Sequence, residues 1–232
     1  MNYKKHLLII LLIAILFRLG PVMLHGMPVG YDAPFHERMA GSVLDSGFVT
    51  AEVGDAGTGG RPNNYPPLYH VLTAELSLLT GIGVHGIVMF LLPLFSALCV
   101  LSVFVFVRAV SGDKNALISA LLVAVATPLI GAAYDSPENF VFFFLPVALL
   151  LMHKGHEKAG ALVYVSAFMW NYFALLASAV PFLLAYWRRG KAIGTAIVGI
   201  IVMLCLGFLA TGTTPLTAVS LSSAMEFVQY NL

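Results

Sequence analysis

The sequence predicts an all-α, polytopic membrane protein of about seven transmembrane helices, with one interfacial helix in a long first outer loop. Three observations carry that expectation. Of 232 residues, 59% are apolar and 10% are charged, whereas an ordinary soluble chain carries roughly 25% Asp, Glu, Lys and Arg. The mean hydropathy is +0.92. Several stretches run for nearly twenty residues or more without a charge, and a bilayer core about 30 Å thick takes about 20 apolar helical residues to cross. The same composition excludes other classes. A net charge of +1 leaves no broad basic face for nucleic acid. Cys99 and Cys205 lie inside apolar stretches, so neither a disulfide framework nor a Cys-based zinc site is indicated. Lys4 and Lys5 precede an apolar run as in a signal peptide, but Arg18 interrupts it and no small-residue cleavage site follows. The N-terminal helix reads as an uncleaved anchor.

Taken in order, the charge-poor segments are 6–24, 86–107, 115–134, 139–152, 159–187 and 192–211. A shorter apolar segment, 66–80, contains His70 and Glu75. Lys and Arg accumulate on the cytoplasmic side, so Lys4 and Lys5 set the N-terminus inside and the next loop, 25–85, outside. Treating 66–80 as interfacial puts Arg108 and Lys114 inside, Asp135 and Glu138 outside, and Lys154 and Lys158 inside. Segment 159–187 has basic residues at both ends (Lys158, then Arg188, Arg189 and Lys191), so it must enter and return. Two short or re-entrant helices breaking near Trp170-Asn171-Tyr172 satisfy that parity. Backbone exposed at such a break needs protein or a water-filled cavity around it. Helix 192–211 then leaves 211–232 outside, an outer segment that reads as truncated. Residues 1–232 form a single membrane domain in the cell membrane.

Nine of the twelve basic residues fall inside on this topology. Nine of the eleven acids (Asp32, Glu37, Asp45, Glu52, Asp55, Glu75, Asp135, Glu138 and Glu226) fall outside or at the outer interface. Acids contribute little to orientation. Their outward clustering therefore points to chemistry on the outer face.

The first outer loop opens with Gly30-Tyr31-Asp32-Ala33-Pro34-Phe35-His36-Glu37-Arg38. One reading is a helix started by Pro34 and capped near Asp32. The other is a carboxylate and imidazole cluster at the membrane surface, suited to metal binding or acid–base work. Gly54-Asp55-Ala56-Gly57-Thr58-Gly59-Gly60 reads as a turn. Asn63-Asn64-Tyr65-Pro66-Pro67-Leu68-Tyr69-His70 then starts the interfacial helix. Leu68, Leu72, Leu76 and Leu79 form its apolar stripe, while His70, Thr73 and Ser77 share another face. His70 is read as a surface histidine or a ligand. In the second outer turn, Tyr134-Asp135-Ser136-Pro137-Glu138-Asn139, Ser136 and Pro137 suit a helix start. Capping does not require both carboxylates. A hard-cation site built from Asp32, Asp135 and Glu138 uses them. Arg18, near the outer end of the first helix, either snorkels to the surface or meets a phosphate.

This arrangement resembles the C-type membrane glycosyltransferases (GT-C fold), and within them the N-terminal membrane module of the oligosaccharyltransferase catalytic subunit of archaeal and bacterial single-subunit type. Asp32-Ala33-Pro34-Phe35-His36-Glu37-Arg38 is similar to that family's first acidic motif. Gly131-Ala132-Ala133-Tyr134-Asp135-Ser136-Pro137-Glu138 resembles its second, with Asp-x-x-Glu where the family has Asp-x-Glu or Asp-x-Asp. Trp170-Asn171-Tyr172-Phe173 lies where the family has a Trp-Gly-Gly-Tyr run, and Tyr65-Pro66-Pro67-Leu68 resembles a Pro-Pro-Leu run of lipid-linked sugar transferases.

The resemblance implies transfer of a sugar or oligosaccharide from a polyprenyl phosphate or pyrophosphate donor to an acceptor it does not identify. Asp32 and Glu37 are the implied catalytic carboxylates, Asp32 activating the acceptor. A divalent metal, Mg or Mn, is implied on Asp32, Asp135, Glu138 and His36. Donor phosphate or substrate contacts are implied for Arg18, Arg38, Arg61, Asn64, Tyr65, His70, Trp170, Asn171 and Tyr172. The family's later helices and its acceptor-reading soluble domain have no counterpart here. The chain is expected to be a fragment, a compact transferase with another acceptor, or one half of a split enzyme with a partner chain. The rival class is a transporter or flippase subunit for a lipid-linked or neutral substrate, and a non-catalytic scaffold of the same fold is the third.

Overall fold

The computed structural model describes residues 3–27, 33–47, 52–53, 61–62, 67–129 and 138–167. The expected break at 170–172, helix 192–211 and segment 211–232 lie outside the described residues. Within them the chain is helical, apart from one two-residue antiparallel ladder. The elements are α1 (Tyr3–His25), α2 (Ala33–Ser46), β1 (Glu52–Val53), β2 (Arg61–Pro62), α3 (Leu68–Thr80), α4 (Val84–Gly86), a π-helical turn (Ile87–Leu91), α5 (Leu92–Ala97), α6 (Cys99–Leu129), α7 (Glu138–His153) and α8 (Glu157–Ser166).

Among the described residues two helical stretches are long and apolar enough to cross a membrane, α1 and the 42-residue run Val84–Val125. The long run is two arms. At Gly112 the backbone takes φ 82° and ψ 177°, a conformation that ends the helix and that side-chain-bearing residues avoid. Val100 and Phe104 before that break share one buried cluster with Ala116, Leu117, Ala120 and Ala124 after it, so the arms pack together. Helix α1 joins the same cluster through Ile10 and Ala14. It buries one face at four-residue steps (Ile10, Ala14, Arg18, Val22) and leaves Leu8, Leu12, Leu16, Met23 and Leu24 exposed.

Aromatic and ionic contacts fix which ends meet. Tyr3 stacks on Phe104 at 6.2 Å, the Arg108 guanidinium carbon sits 4.3 Å over the Tyr3 ring, and Arg108 Nε donates to Asp113 Oδ1 at 2.6 Å. The start of α1 and the Gly112 turn therefore lie at one end of the bundle, where Lys4, Lys5, Arg108 and Lys114 gather. The first arm is irregular nearer its own start. Pro93 has no N–H for the carbonyl of Met89 four residues back, and the π-helical turn falls over that same stretch.

Helix α3 corrects the expectation of an apolar stripe laid along the membrane. Leu68, Leu72 and Leu76 pack on the protein core instead, and the face carrying Tyr69, His70, Thr73 and Ala74 is buried. Leu78 and Leu79 are the exposed members. The polar face goes inward because α2 docks on it and supplies partners, as described below. The ladder pairs Glu52 with Pro62 and Val53 with Arg61.

Helices α7 and α8 form a hairpin. Gly155, at φ 87°, ends α7 in the left-handed conformation, with His156 N–H bonded to Leu151 C=O and Gly155 N–H to Met152 C=O. The hairpin closes tightly at Gly160, where an added Cβ would collide with Met152 Cγ and lie 2.7 Å from the Ala148 carbonyl oxygen. That oxygen is backbone and cannot step aside. Gly160→Ala is therefore expected to destabilise the bundle by about 1–3 kcal/mol. Gly41→Ala, in α2 with nothing within 4 Å, is expected to be neutral or stabilising by about 0.5–1 kcal/mol. Thermal unfolding in detergent compares the two, and equal midpoints for Gly160→Ala and wild type would rule out the tight crossing.

Candidate functional site

Residues at or just after three of the four motifs, those at Asp32, Tyr65 and Asp135, come together. Ala33 begins α2, Tyr69 lies in the first turn of α3, and Phe140 lies in the first turn of α7; all three belong to one buried cluster. The Tyr69 and Phe140 rings meet edge to face at 5.8 Å, and Phe140 stacks on Phe95 at 4.5 Å. Three helix N-terminal regions thus converge on the first arm. Such ends carry unpaired N–H groups and the positive pole of the helix dipole. Asp32 is bonded to Ala33, Tyr65-Pro66-Pro67 precedes Leu68, and Asp135 stands three residues before Glu138.

A pair of histidines ties two of these helices. His36 Nδ1 lies 3.0 Å from His70 Nε2, and both side chains have no exposure. Their ring centroids are 5.2 Å apart, about as far as two imidazoles reach with nitrogens in contact, so the nitrogens face each other. One ring donates its N–H to the lone pair of the other. Phe35 and Tyr69 enclose the pair edge to face. Burial holds both imidazoles down at about 3, and for His70 the neighbouring His36 adds to the effect. Both are therefore neutral at pH 7. Reading His70 as a surface histidine is corrected, because α2 covers its face of α3.

Beside this pair, Glu37 Oε1 lies 2.9 Å from Nδ1 of the exposed His85. Half-open pairs of this kind contribute little to stability. Arg38 projects from the exposed side of α2.

Arg18 departs most from expectation. Its side chain is 1% exposed, so it does not snorkel to the surface. It folds back along α1: Nη1 donates to the Ala14 carbonyl at 3.1 Å and Nε to Ser96 Oγ at 2.7 Å, while Ser96 donates to the Pro93 carbonyl. Ala14 is the central residue of α1. Nη2 has no partner. A charge at mid-membrane costs about 2.5–3.5 kcal/mol on insertion scales, and an unsatisfied buried donor costs roughly 1–3 kcal/mol more. Three residues beyond Ser96, Cys99 Sγ donates to the Asn139 carbonyl at 3.2 Å. The first turn of α7 therefore docks against the middle of the first arm.

Of the other residues singled out from sequence, Arg61 pairs through its backbone with Val53, and Glu138 opens α7. Asp32, Asn64, Tyr65, Asp135, Trp170, Asn171 and Tyr172 lie outside the described residues. Among the described residues no group of three or more His, Cys, Asp or Glu is assembled to hold a metal. His36, the one candidate ligand whose side chain is described, directs Nδ1 at His70 and not at a third point shared by both rings. Ser96, Tyr69, His85 and Asn139 were not anticipated. Ser96 had a sequence signal, a hydroxyl three residues after a proline in an apolar run, but nothing there indicated Arg18 as its partner.

No protein-family model, curated protein or solved structure matches the chain.

The neutral histidine pair sets a pH dependence. As pH falls below about 6.5, the unfolded chain binds protons that the buried pair refuses, so stability declines by up to about 1.4 kcal/mol per pH unit for each imidazole until pH approaches 3. The melting midpoint in detergent should therefore drop between pH 6.5 and 4, more steeply in wild type than in His36→Phe/His70→Phe. Parallel slopes in the two proteins would refute a buried neutral pair.

Proposed function

We propose that the chain is an integral membrane glycosyltransferase that moves a sugar or oligosaccharide from a polyprenyl phosphate or pyrophosphate donor to an acceptor at the outer face. The convergence of the α2, α3 and α7 starts supports this reading. Each start directly follows one of three of the four motifs, so helix starts about thirty-five to a hundred residues apart in sequence share one buried cluster. Transfer of this kind needs two things there: a base or cation ligand for the acceptor, and positive charge for the departing phosphate. The motifs supply carboxylates, and the converging helix ends supply positive potential.

In this reading Asp32 accepts the acceptor's proton or orients it, and Glu37 supports it from the same helix start. The His36–His70 bond holds the first turn of α2 against α3. A divalent cation held by Asp32, Asp135 and Glu138 would neutralise phosphate oxygens. Arg38 and Arg61 are the guanidinium groups this reading assigns to the donor phosphates. The topology proposed with it is multi-pass, seven helices with the N-terminus in the cytoplasm and the basic end of the bundle facing inward.

The transporter reading draws support from one observation, the ionisable Arg18 at mid-depth. Transport of a charged substrate places such groups on several helices. Among the described residues Arg18 is the only Asp, Glu, Lys or Arg that is buried.

The experiment incubates the chain in proteoliposomes with polyprenyl-phosphate-linked sugars, an acceptor panel and Mg or Mn. Asp32→Ala is expected to lower transfer by roughly 10²-fold or more. Undiminished transfer by Asp32→Ala would remove that residue from the mechanism. Movement of the lipid-linked sugar across the bilayer with no transfer to any acceptor would favour the transporter.

A further inference from the structure

We infer that Arg18 is the buried end of an anion site inside the helix bundle, and that its occupant presents phosphoryl oxygens to Nη2 at mid-depth. The inference rests on the donor class proposed above for the identity of the ligand, but its geometry stands separately. The guanidinium has five N–H donors in a planar fork. Its Nε and Nη1 edges are fixed by Ser96 Oγ at 2.7 Å and the Ala14 carbonyl at 3.1 Å. The remaining nitrogen, Nη2, is buried and unpartnered. Two neutral oxygens orient the cation without neutralising it, and the ion pairs Arg108–Asp113 and His85–Glu37 do not include it.

A structural arginine at such a place would spend all its donors or meet a carboxylate. Here the fork is held rigidly by two contacts with one prong left over, which is an arrangement set for a ligand. The chemistry is that of a tetrahedral oxyanion. Guanidinium meets phosphate oxygens with short charge-assisted bonds, and the match is lost with an uncharged alcohol. The first turn of the 16-residue α7, which Asn139 fastens to Cys99 one turn beyond Ser96, adds N–H groups on the same stretch of the first arm. Ser96 is a positioning residue: its hydroxyl, anchored on the Pro93 carbonyl, sets the plane of the guanidinium and makes no claim on the ligand.

The test measures binding without requiring turnover. The full chain in nanodiscs is titrated with undecaprenyl phosphate, with undecaprenol and with inorganic phosphate, and occupancy is read by native mass spectrometry. Wild type is expected to bind the prenyl phosphate at least about tenfold more tightly than the prenol, and Arg18→Gln to lose that preference. Arg18→Lys should keep part of it, and Ser96→Ala should weaken it while Ser96→Thr restores it. Competition by inorganic phosphate would identify a site for free phosphate. Its absence would assign the site to the lipid-borne ester, and either result supports the proposal. Equal affinity of Arg18→Gln and wild type for the prenyl phosphate would overturn it. So would an Arg18→Gln chain that fails to fold but is rescued by Glu138→Gln, because Arg18 would then be the structural partner of that carboxylate. Sugar transfer separates the two readings. Arg18-dependent binding with no transfer from any donor leaves the anion site standing and removes the glycosyltransferase. Transfer at wild-type rate and donor affinity by Arg18→Gln does the reverse.

Discussion

Polar side chains enclosed by apolar helices have no water to turn to, and each must find its partner among its neighbours. Among the described residues that constraint shows in two buried contacts between side chains. His36 and His70 bond one another at 3.0 Å and, in doing so, clamp α2 onto α3. Arg18 and Ser96 join α1 to the first arm of the long hairpin at 2.7 Å. The aromatic contacts of Tyr69, Phe140 and Phe95 then lie between these two polar points. Remove the polar contacts and apolar packing alone would still bring helices together, but with little to choose one register over another. Directional bonds between unlike elements make the arrangement single-valued.

The two contacts differ in charge. The neutral imidazoles meet through one nitrogen each, and burial keeps extra protons away. The guanidinium is held on two edges and left with a third. A bundle that buries one polar pair without net charge and one cation without a counter-charge is divided between a fastening and an opening. The site proposed above takes its polarity from that division. In sequence the Asp32 motif leads into the helix that carries His36, while the buried positive charge belongs to Arg18 on α1.

Much of the helical outline was legible in the sequence, because hydrophobic length and punctuation are local properties. Segment 6–24 appears as Tyr3–His25, 66–80 as Leu68–Thr80, and 139–152 as Glu138–His153. The two segments 86–107 and 115–134 appear as arms separated at Gly112. Only part of segment 159–187 is described, and it begins as helix α8. What escaped the sequence was facing. Periodicity gave α3 a leucine stripe and a His70 face, but could not say that α2 would cover the histidine. The same limit applied to Arg18, since a charge near the end of an apolar run reads as snorkelling or as meeting a phosphate, and neither reading names Ser96 as its partner. Partners 34 and 78 residues away decided both cases. The motifs located the candidate carboxylates in the chain, while the meeting of Ala33, Tyr69 and Phe140 was a tertiary event with no local trace.

The 78-residue separation between Arg18 and Ser96 has a consequence for biogenesis. A ribosome making roughly 5–20 residues per second delivers α1 to the membrane several seconds before the hydroxyl that will receive its guanidinium exists. During that interval α1 is an apolar helix with an unaccompanied charge, and its cheapest position lets the long side chain stretch to the lipid–water boundary. On that order of synthesis an extended arginine would precede the folded-back one, and arrival of the Ser96 helix would draw the charge inward, so the interior of the bundle would become polar in the order in which the chain is made.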